Sequence, residues 1–181
     1  YGITKFMHQG KQLTKPLLDI SKVSENRRGL YTNPKIIISK LALRIEGFLD
    51  ENGEYASVNT NCIHSPHNDY LLKYLAGVVN SKLMSFIYSE LFSGLRMSGG
   101  YFQFQAPQLR ILPIAKPSDD EQDKMSVLVE RIMSLYENLN KLGGKRTDER
   151  TRIEDEIKKT DAEIDELVYD IYGITKDAEK K

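Results

Sequence analysis

Residues 101–136 read YFQFQAPQLRILPIAKPSDDEQDKMSVLVERIMSLY, and this stretch decides how the rest of the chain is organised. It holds two short runs of strand-like composition, residues 101–105 and 109–114, punctuated by prolines. Ser118 then begins a long helical pattern. With Glu121 it has the Ser-x-x-Glu spacing of a capping box, in which a hydroxyl and a carboxylate bond the orphan amides of a helix start. The stretch predicts a junction between a strand-containing part and a helical part.

The helical part is predicted to be two helices joined by a tight turn. Apolar residues from Met125 onward recur every three or four positions until Gly143-Gly144, where the helix should break. The apolar positions of residues 153–171 repeat with a seven-residue period, as in a coiled coil. Thr147 or Asp148 can cap this second helix.

The part before the junction is predicted to contain a sheet. Residues 35–40, KIIISK, have the composition of a buried strand. Asn52-Gly53 is a frequent two-residue hairpin turn, so residues 54–60 are predicted to form the return strand. Residues 59–68 are predicted to be a polar loop.

Residues 71–91 are predicted to form two helices with apolar faces, interrupted at Asn80-Ser81. Asn68 or Ser65 is the predicted N-cap of the first helix. A glycine-rich loop, residues 94–100, then leads into the stretch quoted above.

Together these patterns predict an α+β fold: a twisted, mostly antiparallel sheet with packed helices, followed by a C-terminal antiparallel two-helix coiled-coil hairpin. We divide the chain into a first domain at residues 1–116, the hairpin at 117–175 and a loose tail at 176–181.

The 181-residue chain is 40% apolar and 29% charged, values typical of a globular protein. No apolar run is long enough to cross a membrane, and no cleavable signal is visible. A single cysteine, Cys62, suits a reducing cytoplasm. The chain begins at Tyr1, so we expect it to be part of a longer protein.

The net charge of zero conceals a division between the two parts. Residues 1–115 contain 13 Lys and Arg against 8 Asp and Glu, whereas residues 116–181 contain 13 against 18. A mildly basic first part is compatible with a polyanionic partner. An acidic hairpin is not favoured as a DNA-binding surface.

The tract from Asn68 to Glu130 resembles the target-recognition domain of bacterial restriction–modification systems. That family has a helix around the pattern LLxxLNSxL, a glycine-containing loop, a strand pair closing on LxxLPI, and EQ opening a long helix. The corresponding elements here are residues 71–83, 94–100 and 109–114, and Glu121-Gln122. Residues 164–175, IDELVYDIYGIT, resemble the last helix of type IIG enzymes. The TaqI-like C-terminal specificity domain is the family most similar to the chain.

The resemblance implies recognition of double-stranded DNA on behalf of methyltransferase and nuclease domains elsewhere in the parent chain. It implies S-adenosylmethionine and Mg²⁺ for the parent enzyme and no cofactor for this fragment. The sequence lacks the Asn-Pro-Pro-Tyr motif of adenine methylation and a recognisable nuclease core. We therefore expect a non-catalytic specificity fragment.

Base and phosphate contacts require Arg, Lys, amide and hydroxyl side chains, or backbone amides, on exposed segments. Three polar loops and the flanks of the 35–40 strand meet this requirement. Their candidate DNA-binding residues are Arg27, Arg28 and Tyr31; Asn59, Asn61, His64 and His67; Arg96, Ser98, Gly99, Gly100, Tyr101, Gln103 and Gln105; and Lys35, Lys40 and Arg44.

Other functions have less support in the sequence. Cys62, His64 and His67 lack the second ligand pair of a structural zinc site, so no metal site is predicted. No catalytic constellation can be assembled from the sequence. A coiled-coil protein–protein scaffold without a DNA role is the alternative, and apolar residues on the hairpin could make the fragment dimerise.

Overall fold

The computed structural model describes residues 7–8, 11–12, 19–55, 60–64, 66–144 and 146–174. The fold is α+β, as predicted, and every strand pair in these ranges is antiparallel. The strands form three small sheets instead of one. The first is the pair β1 (Met7–His8) and β2 (Lys11–Gln12).

The central sheet has three strands in the order β5–β3–β6, with β3 (Lys35–Ile38) between β5 (Gly47–Asp50) and β6 (Asn61–His64). The buried strand predicted within 35–40 is confirmed. Ile36 and Ile38 face the core with Leu49, and all three are almost fully buried.

The predicted hairpin at Asn52-Gly53 is wrong, because β5 and the next strand both pair with β3 and not with each other. The backbone amides of Glu54 and Tyr55 instead bond to the Asp50 carboxylate, at 3.0 Å each. These two hydrogen bonds hold a tight turn after Asp50, so the chain does not pair back along β5. The return strand forms later, at Asn61–His64, so the predicted polar loop is also wrong at these residues. Residues 56–59 lie outside the described ranges.

A two-stranded ribbon lies beyond the end of β3. It pairs β4 (Leu41–Ala42) with β7 (Phe102–Gln103), which fits the strand predicted around 101–105. The second predicted strand, 109–114, is wrong. Residues Ala106–Leu109 form a short helix, α4, with Pro107 in its first turn, where proline leaves no amide unsatisfied.

Three helices pack on or beside these sheets. Helix α1 (Glu25–Thr32) precedes β3, so the polar loop predicted to hold Arg27, Arg28 and Tyr31 is wrong. Helices α2 (Leu72–Asn80) and α3 (Lys82–Leu91) are divided at Ser81 as predicted. The Asn80 side chain accepts a hydrogen bond from the Gly47 amide and donates one to the Gly47 carbonyl, so it occupies the outer edge of β5. The Asn-Ser pair of the family pattern is thus structural: Asn80 holds the sheet, and the Ser81 hydroxyl caps α3.

The C-terminal hairpin consists of α5 (Asp119–Leu142) and α6 (Asp148–Ile171). The capping box of Ser118 and Glu121, the break at Gly143 and the Thr147 cap are all confirmed. The two helices pack against each other, and both also contact α2. Their buried side chains join one hydrophobic core with the sheet and α2. In the ranges described above, no helix is long and apolar enough to span a membrane.

The N-cap predicted for α2 is wrong, and its replacement comes from the hairpin. Leu71 occupies the N-cap position and offers no side-chain bond. Instead, the nearly buried amide of Gln122 in α5 accepts a hydrogen bond from the Leu71 amide at 2.7 Å. Asp165 in α6 similarly accepts one from the Lys82 amide at 2.8 Å, at the start of α3. Sequence patterns describe caps only within a few residues, so neither was foreseen.

Replacing Gln122 by Ala should lower the free energy of unfolding by about 1–2 kcal/mol, because the Leu71 amide at the N-cap of α2 then loses its acceptor at a partly buried position. Urea denaturation followed by circular dichroism measures this. Asn138→Ala, which removes an exposed amide from the same helix, is the matched control and should cost less than about 0.5 kcal/mol. Equal costs for the two variants would contradict the long-range cap.

Candidate nucleic-acid interface

Fifteen of the seventeen predicted contact residues lie in two groups at opposite ends of β3. Lys35 pairs in register with His64, and its ammonium bonds the Tyr31 carbonyl, so α1 lies at this end. Ile38 pairs with Asn61 at the other end, where the chain continues into the ribbon. Three residue steps separate the ends, roughly 10 Å. The α1 end holds Arg27, Arg28, Tyr31, Lys35 and His64; the ribbon end holds Lys40, Arg44, Asn61, Arg96, Ser98, Gly99, Gly100, Tyr101, Gln103 and Gln105.

At the α1 end, two of the charged side chains bond to groups within the protein. Lys35 is 1% exposed, and its ammonium lies 2.7 Å from the Asp50 carboxylate and 3.0 Å from the Tyr31 carbonyl oxygen. The Arg28 guanidinium donates to the carbonyl oxygens of Val23 and Ser21. Lys35 cannot reach a phosphate from this position, which corrects its expected role, because a buried ammonium needs its partners inside the protein. Arg27 is exposed.

The ribbon alternates cleanly between an inner and an outer face. Ala42 and Phe102 are register partners and point into the core, where Phe102 is 2% exposed. Leu41 and Gln103 are the next register pair and point outward, and Leu41 is 52% exposed. Tyr101, two residues before Gln103, is also exposed. The outer face therefore presents apolar groups beside an amide, on strands that are anchored from beneath.

The anchor is a cluster of aromatic side chains. Tyr88 of α3 packs against Phe102 and Phe104, with ring centroids 5.6 and 4.7 Å apart. Its hydroxyl donates to the Gln103 carbonyl oxygen at 3.2 Å, and burial raises the pKa of Tyr88, which keeps that donor protonated. The Asn61 side-chain amide donates to the Phe104 carbonyl oxygen at 2.9 Å. Asn61, predicted to contact DNA, thus holds the ribbon in place.

The glycine-rich loop closes the ribbon on its other side. The Met97 amide donates to the Tyr101 carbonyl oxygen at 2.7 Å, and Arg96 forms an isolated antiparallel bridge with Phe102. Gly99 and Gly100 both have positive φ, 81° and 84°, which only glycine adopts without strain. The exposed side chain of Leu43 lies close to Gly100. The loop turns tightly and leaves Ser98 exposed.

Basic residues outnumber acidic ones in the segments that form this end of the molecule. Residues 39–46 and 93–112 contain one acidic side chain, Glu46, and four basic ones. The Arg96 guanidinium lies 4.9 Å from the centre of the Phe102 ring, which fixes it at the rim of the ribbon on the inner side. Arg110 is exposed after α4. The other two basic residues are Lys40, which is half-buried, and Arg44.

Arg44 is influenced by the acidic hairpin. Burial raises the pKa of Asp161 in α6, as does the neighbouring Asp165 carboxylate, whereas Arg44 and Lys82 act in the opposite direction. Lys82 itself lies 3.0 Å from Asp165. Arg44 therefore interacts electrostatically with α6, which makes it a weaker candidate for a phosphate contact than Arg96.

The remaining predicted residues join neither group. His67 is exposed and its ring nitrogen accepts a hydrogen bond from the Asp69 amide at 3.4 Å. Asn59 lies outside the described residues. Among the residues that the structure describes, no cluster of three or more His, Cys, Asp or Glu side chains could hold a metal ion.

Sequence reasoning missed the outward leucines. Residues 40–44 read KLALR, and because successive strand residues point to opposite faces, its three consecutive apolar residues already place apolar side chains on both faces of a strand. Arg110 was missed because its segment was predicted to be a strand.

Comparison with protein families adds independent evidence. The family model described as the TaqI-like C-terminal specificity domain matches residues 5–114, which include the central sheet, the ribbon, α2 and α3. No match is found among curated proteins. Domains of this kind are non-catalytic and serve target recognition in restriction–modification systems. With more than half of its length matched, the chain belongs to the family of TaqI-like C-terminal specificity domains.

Proposed function

We propose that the chain reads a short sequence of duplex DNA for a type IIG-like restriction–modification enzyme, with the outer face of the β4–β7 ribbon in the major groove. The observation that carries this proposal is the exposed pair of Leu41 and Gln103 on strands whose inner face is fixed by Tyr88 and Asn61. Recognition requires side chains that are exposed yet held rigidly by the scaffold. Of the predicted contact groups, the ribbon meets both conditions best.

The dimensions of the ribbon support this placement. The major groove of B-form DNA is about 12 Å wide and admits a two-stranded ribbon. Two paired strands are about 5 Å apart, which leaves room for their side chains against the groove walls. Arg96 and Arg110 then lie at the rim, where cations contact phosphates and fix the register without reading bases.

The charge division supports the same orientation. The acidic hairpin repels the DNA backbone, so it faces away from the duplex while the ribbon end approaches it. On this proposal the hairpin contacts the methyltransferase and nuclease domains of the parent chain. S-adenosylmethionine and Mg²⁺ serve those domains, and the whole enzyme acts in the cytoplasm.

Binding of the full 181-residue chain to randomised duplex DNA, with sequencing of the retained molecules, tests the proposal. We expect a short retained motif, with affinity falling steeply between about 50 and 200 mM salt. Arg96→Gln should weaken binding to all sequences about equally and reduce the salt slope by about one. The matched control, Arg152→Gln, removes an exposed arginine from the acidic hairpin and should change neither.

A protein–protein scaffold remains the second candidate because Leu41 and Leu43 are more than half exposed. An apolar patch of this kind also suits a protein partner, including a second copy of the chain. Absence of DNA binding at both salt concentrations, together with self-association that Leu43→Ser abolishes, would favour the scaffold and reject the DNA proposal.

A further inference from the structure

We infer that Leu41 and Gln103 act together to read one A·T base pair in the major groove. This inference rests on the proposed function and adds to it the chemical identity of part of the target. It follows from three features of the ribbon: the register of the two residues, their surroundings, and the charge of the outer face.

The register places the two side chains next to each other. Leu41 and Gln103 are direct antiparallel partners on the outer face. Side chains of such partners begin about 5 Å apart, at their Cβ atoms. The methyl groups of Leu41 and the carboxamide of Gln103 therefore lie side by side. The hydrogen bonds between the two strands fix their spacing.

The A·T pair presents groups that are chemically complementary to both side chains. In the major groove, adenine offers the N7 acceptor and the N6 donor, and a glutamine carboxamide can satisfy both at once. Thymine adds a C5 methyl group, which favours contact with an apolar side chain. Gln103 is matched to the adenine edge and Leu41 to the thymine methyl.

The outer face is poorly matched to a G·C pair. Guanine presents two acceptors and is read best by Arg or Lys, and cytosine presents a donor that suits a carboxylate. Among the described residues of the ribbon, neither partner position on the outer face is charged, and the register puts Arg96 on the inner side with its guanidinium against Phe102. Leu43 and Tyr101 extend the apolar character of this face.

The side chain of Gln103 is free to bind a base, and its backbone is held in place. Within the part of the chain that the structure describes, the side-chain amide of Gln103 bonds to no protein group. The backbone carbonyl oxygen of Gln103 accepts a hydrogen bond from the Tyr88 hydroxyl. The flanking Phe102 and Phe104 are both nearly fully buried. The backbone is therefore fixed while the amide remains available to a ligand.

The test combines protein variants with base analogues in the motif selected by the full chain. Gln103→Ala should reduce affinity for that motif roughly 10- to 100-fold and relax the preference at one A·T position. At that position, 7-deazaadenine removes the N7 acceptor. It should weaken wild-type binding but cause no further loss in Gln103→Ala.

Leu41 is tested in the same way through thymine. Uracil, which lacks the methyl group, should weaken binding of the wild type at the same base pair and should not affect Leu41→Ala. Gln103→Arg should shift the preference at this position from adenine to guanine. Asn138→Ala, the exposed amide on α5, is the control and should leave the motif unchanged. Unfolding curves check that each variant is folded.

The possible outcomes separate this inference from the proposed function. A retained motif without an A·T pair overturns the inference alone. So do analogue effects that are the same in the wild type and in the variants, since the side chains then read something else. Loss of self-association in Leu41→Ala with an unchanged motif would assign the face to a protein contact. Absence of any DNA binding by the wild type would overturn the proposed function and this inference together.

Discussion

Replacing Lys35 by Met should lower the free energy of unfolding by about 3–5 kcal/mol. The substitution leaves the Asp50 carboxylate, 3% exposed, without the ammonium that lies 2.7 Å away. The carboxylate keeps the amides of Glu54 and Tyr55, but a buried charge without its counter-ion is far more costly than a lost neutral hydrogen bond. Urea denaturation followed by circular dichroism measures the change.

Two controls identify the cause. Lys40→Met removes a half-buried lysine just beyond the other end of β3 and should cost less than about 1 kcal/mol. The double variant Lys35→Met with Asp50→Asn should recover part of the stability lost in the single variant, because it removes the unpaired charge and keeps a side-chain oxygen for one of the two amides that bond to Asp50. A Lys35→Met cost no larger than that of Lys40→Met would show that the ion pair does not contribute as described.

Gly53→Ala should lower the free energy of unfolding by about 2–4 kcal/mol, from two separate effects. Gly53 has φ 65°, a conformation that costs residues with a Cβ about 1–2 kcal/mol. The added Cβ would also lie well inside the contact distance of the Thr32 carbonyl oxygen, a backbone atom at the end of α1. Backbone has to move to relieve this overlap. Thermal and urea unfolding report the change.

Gly173→Ala separates the two effects. Gly173, just after α6, also has a positive φ, 73°, but apart from its chain neighbours no atom of the described residues lies within 4 Å of the position that a Cβ would take. This variant should show only the conformational cost, about 1–2 kcal/mol. If Gly53→Ala costs no more than Gly173→Ala, the close approach of residue 53 to α1 does not restrict the side chain there.

Both substitutions act at the α1 end of β3, away from the ribbon. We expect the folded fraction of Lys35→Met and Gly53→Ala to keep the base preference of the wild type. A change in preference would indicate that the α1 end, where Arg27 is exposed, takes part in recognition. These variants therefore also test which of the two groups of predicted residues reads the target.

Local signals were sufficient for the features that depend on a few neighbouring residues. The Ser118 capping box, the Gly143 break, the two hairpin helices and the β3 strand were all predicted correctly. Each of them rests on hydrogen bonds or on a periodicity that spans a few turns or one strand.

Features that depend on distant residues could not be predicted. Strand β6 follows an irregular segment and its partner is set by β3, not by a nearby turn. The ribbon joins Ala42 to Phe102 across sixty residues, and α2 is capped from α5. Turn propensity at Asn52-Gly53 favoured a hairpin, but the Asp50 carboxylate satisfies the amides that follow and removes the need for one.

Residue type predicts contact residues of two structural kinds. Tyr101 and Gln103, predicted from their polar or aromatic character, are exposed on the ribbon. Lys35 and Asn61 are predicted on the same ground, but their side chains bond to the protein. The residue type alone does not distinguish a side chain that binds a ligand from one that satisfies a buried group. That distinction depends on the fold.

The caps that α5 and α6 supply to α2 and α3 have a consequence for synthesis on the ribosome. Leu71 precedes its acceptor Gln122 by 51 residues, and Lys82 precedes Asp165 by 83. At about 5–20 residues per second, roughly 4–17 s pass between translation of Lys82 and of its acceptor. During this interval the Lys82 amide can hydrogen-bond only to water. The apolar surface that α5 and α6 later cover is exposed to solvent. The last third of the chain therefore completes the hydrophobic core and the helix caps of the first two thirds. A nascent chain interrupted before α6 would expose core surface to aggregation and to proteases.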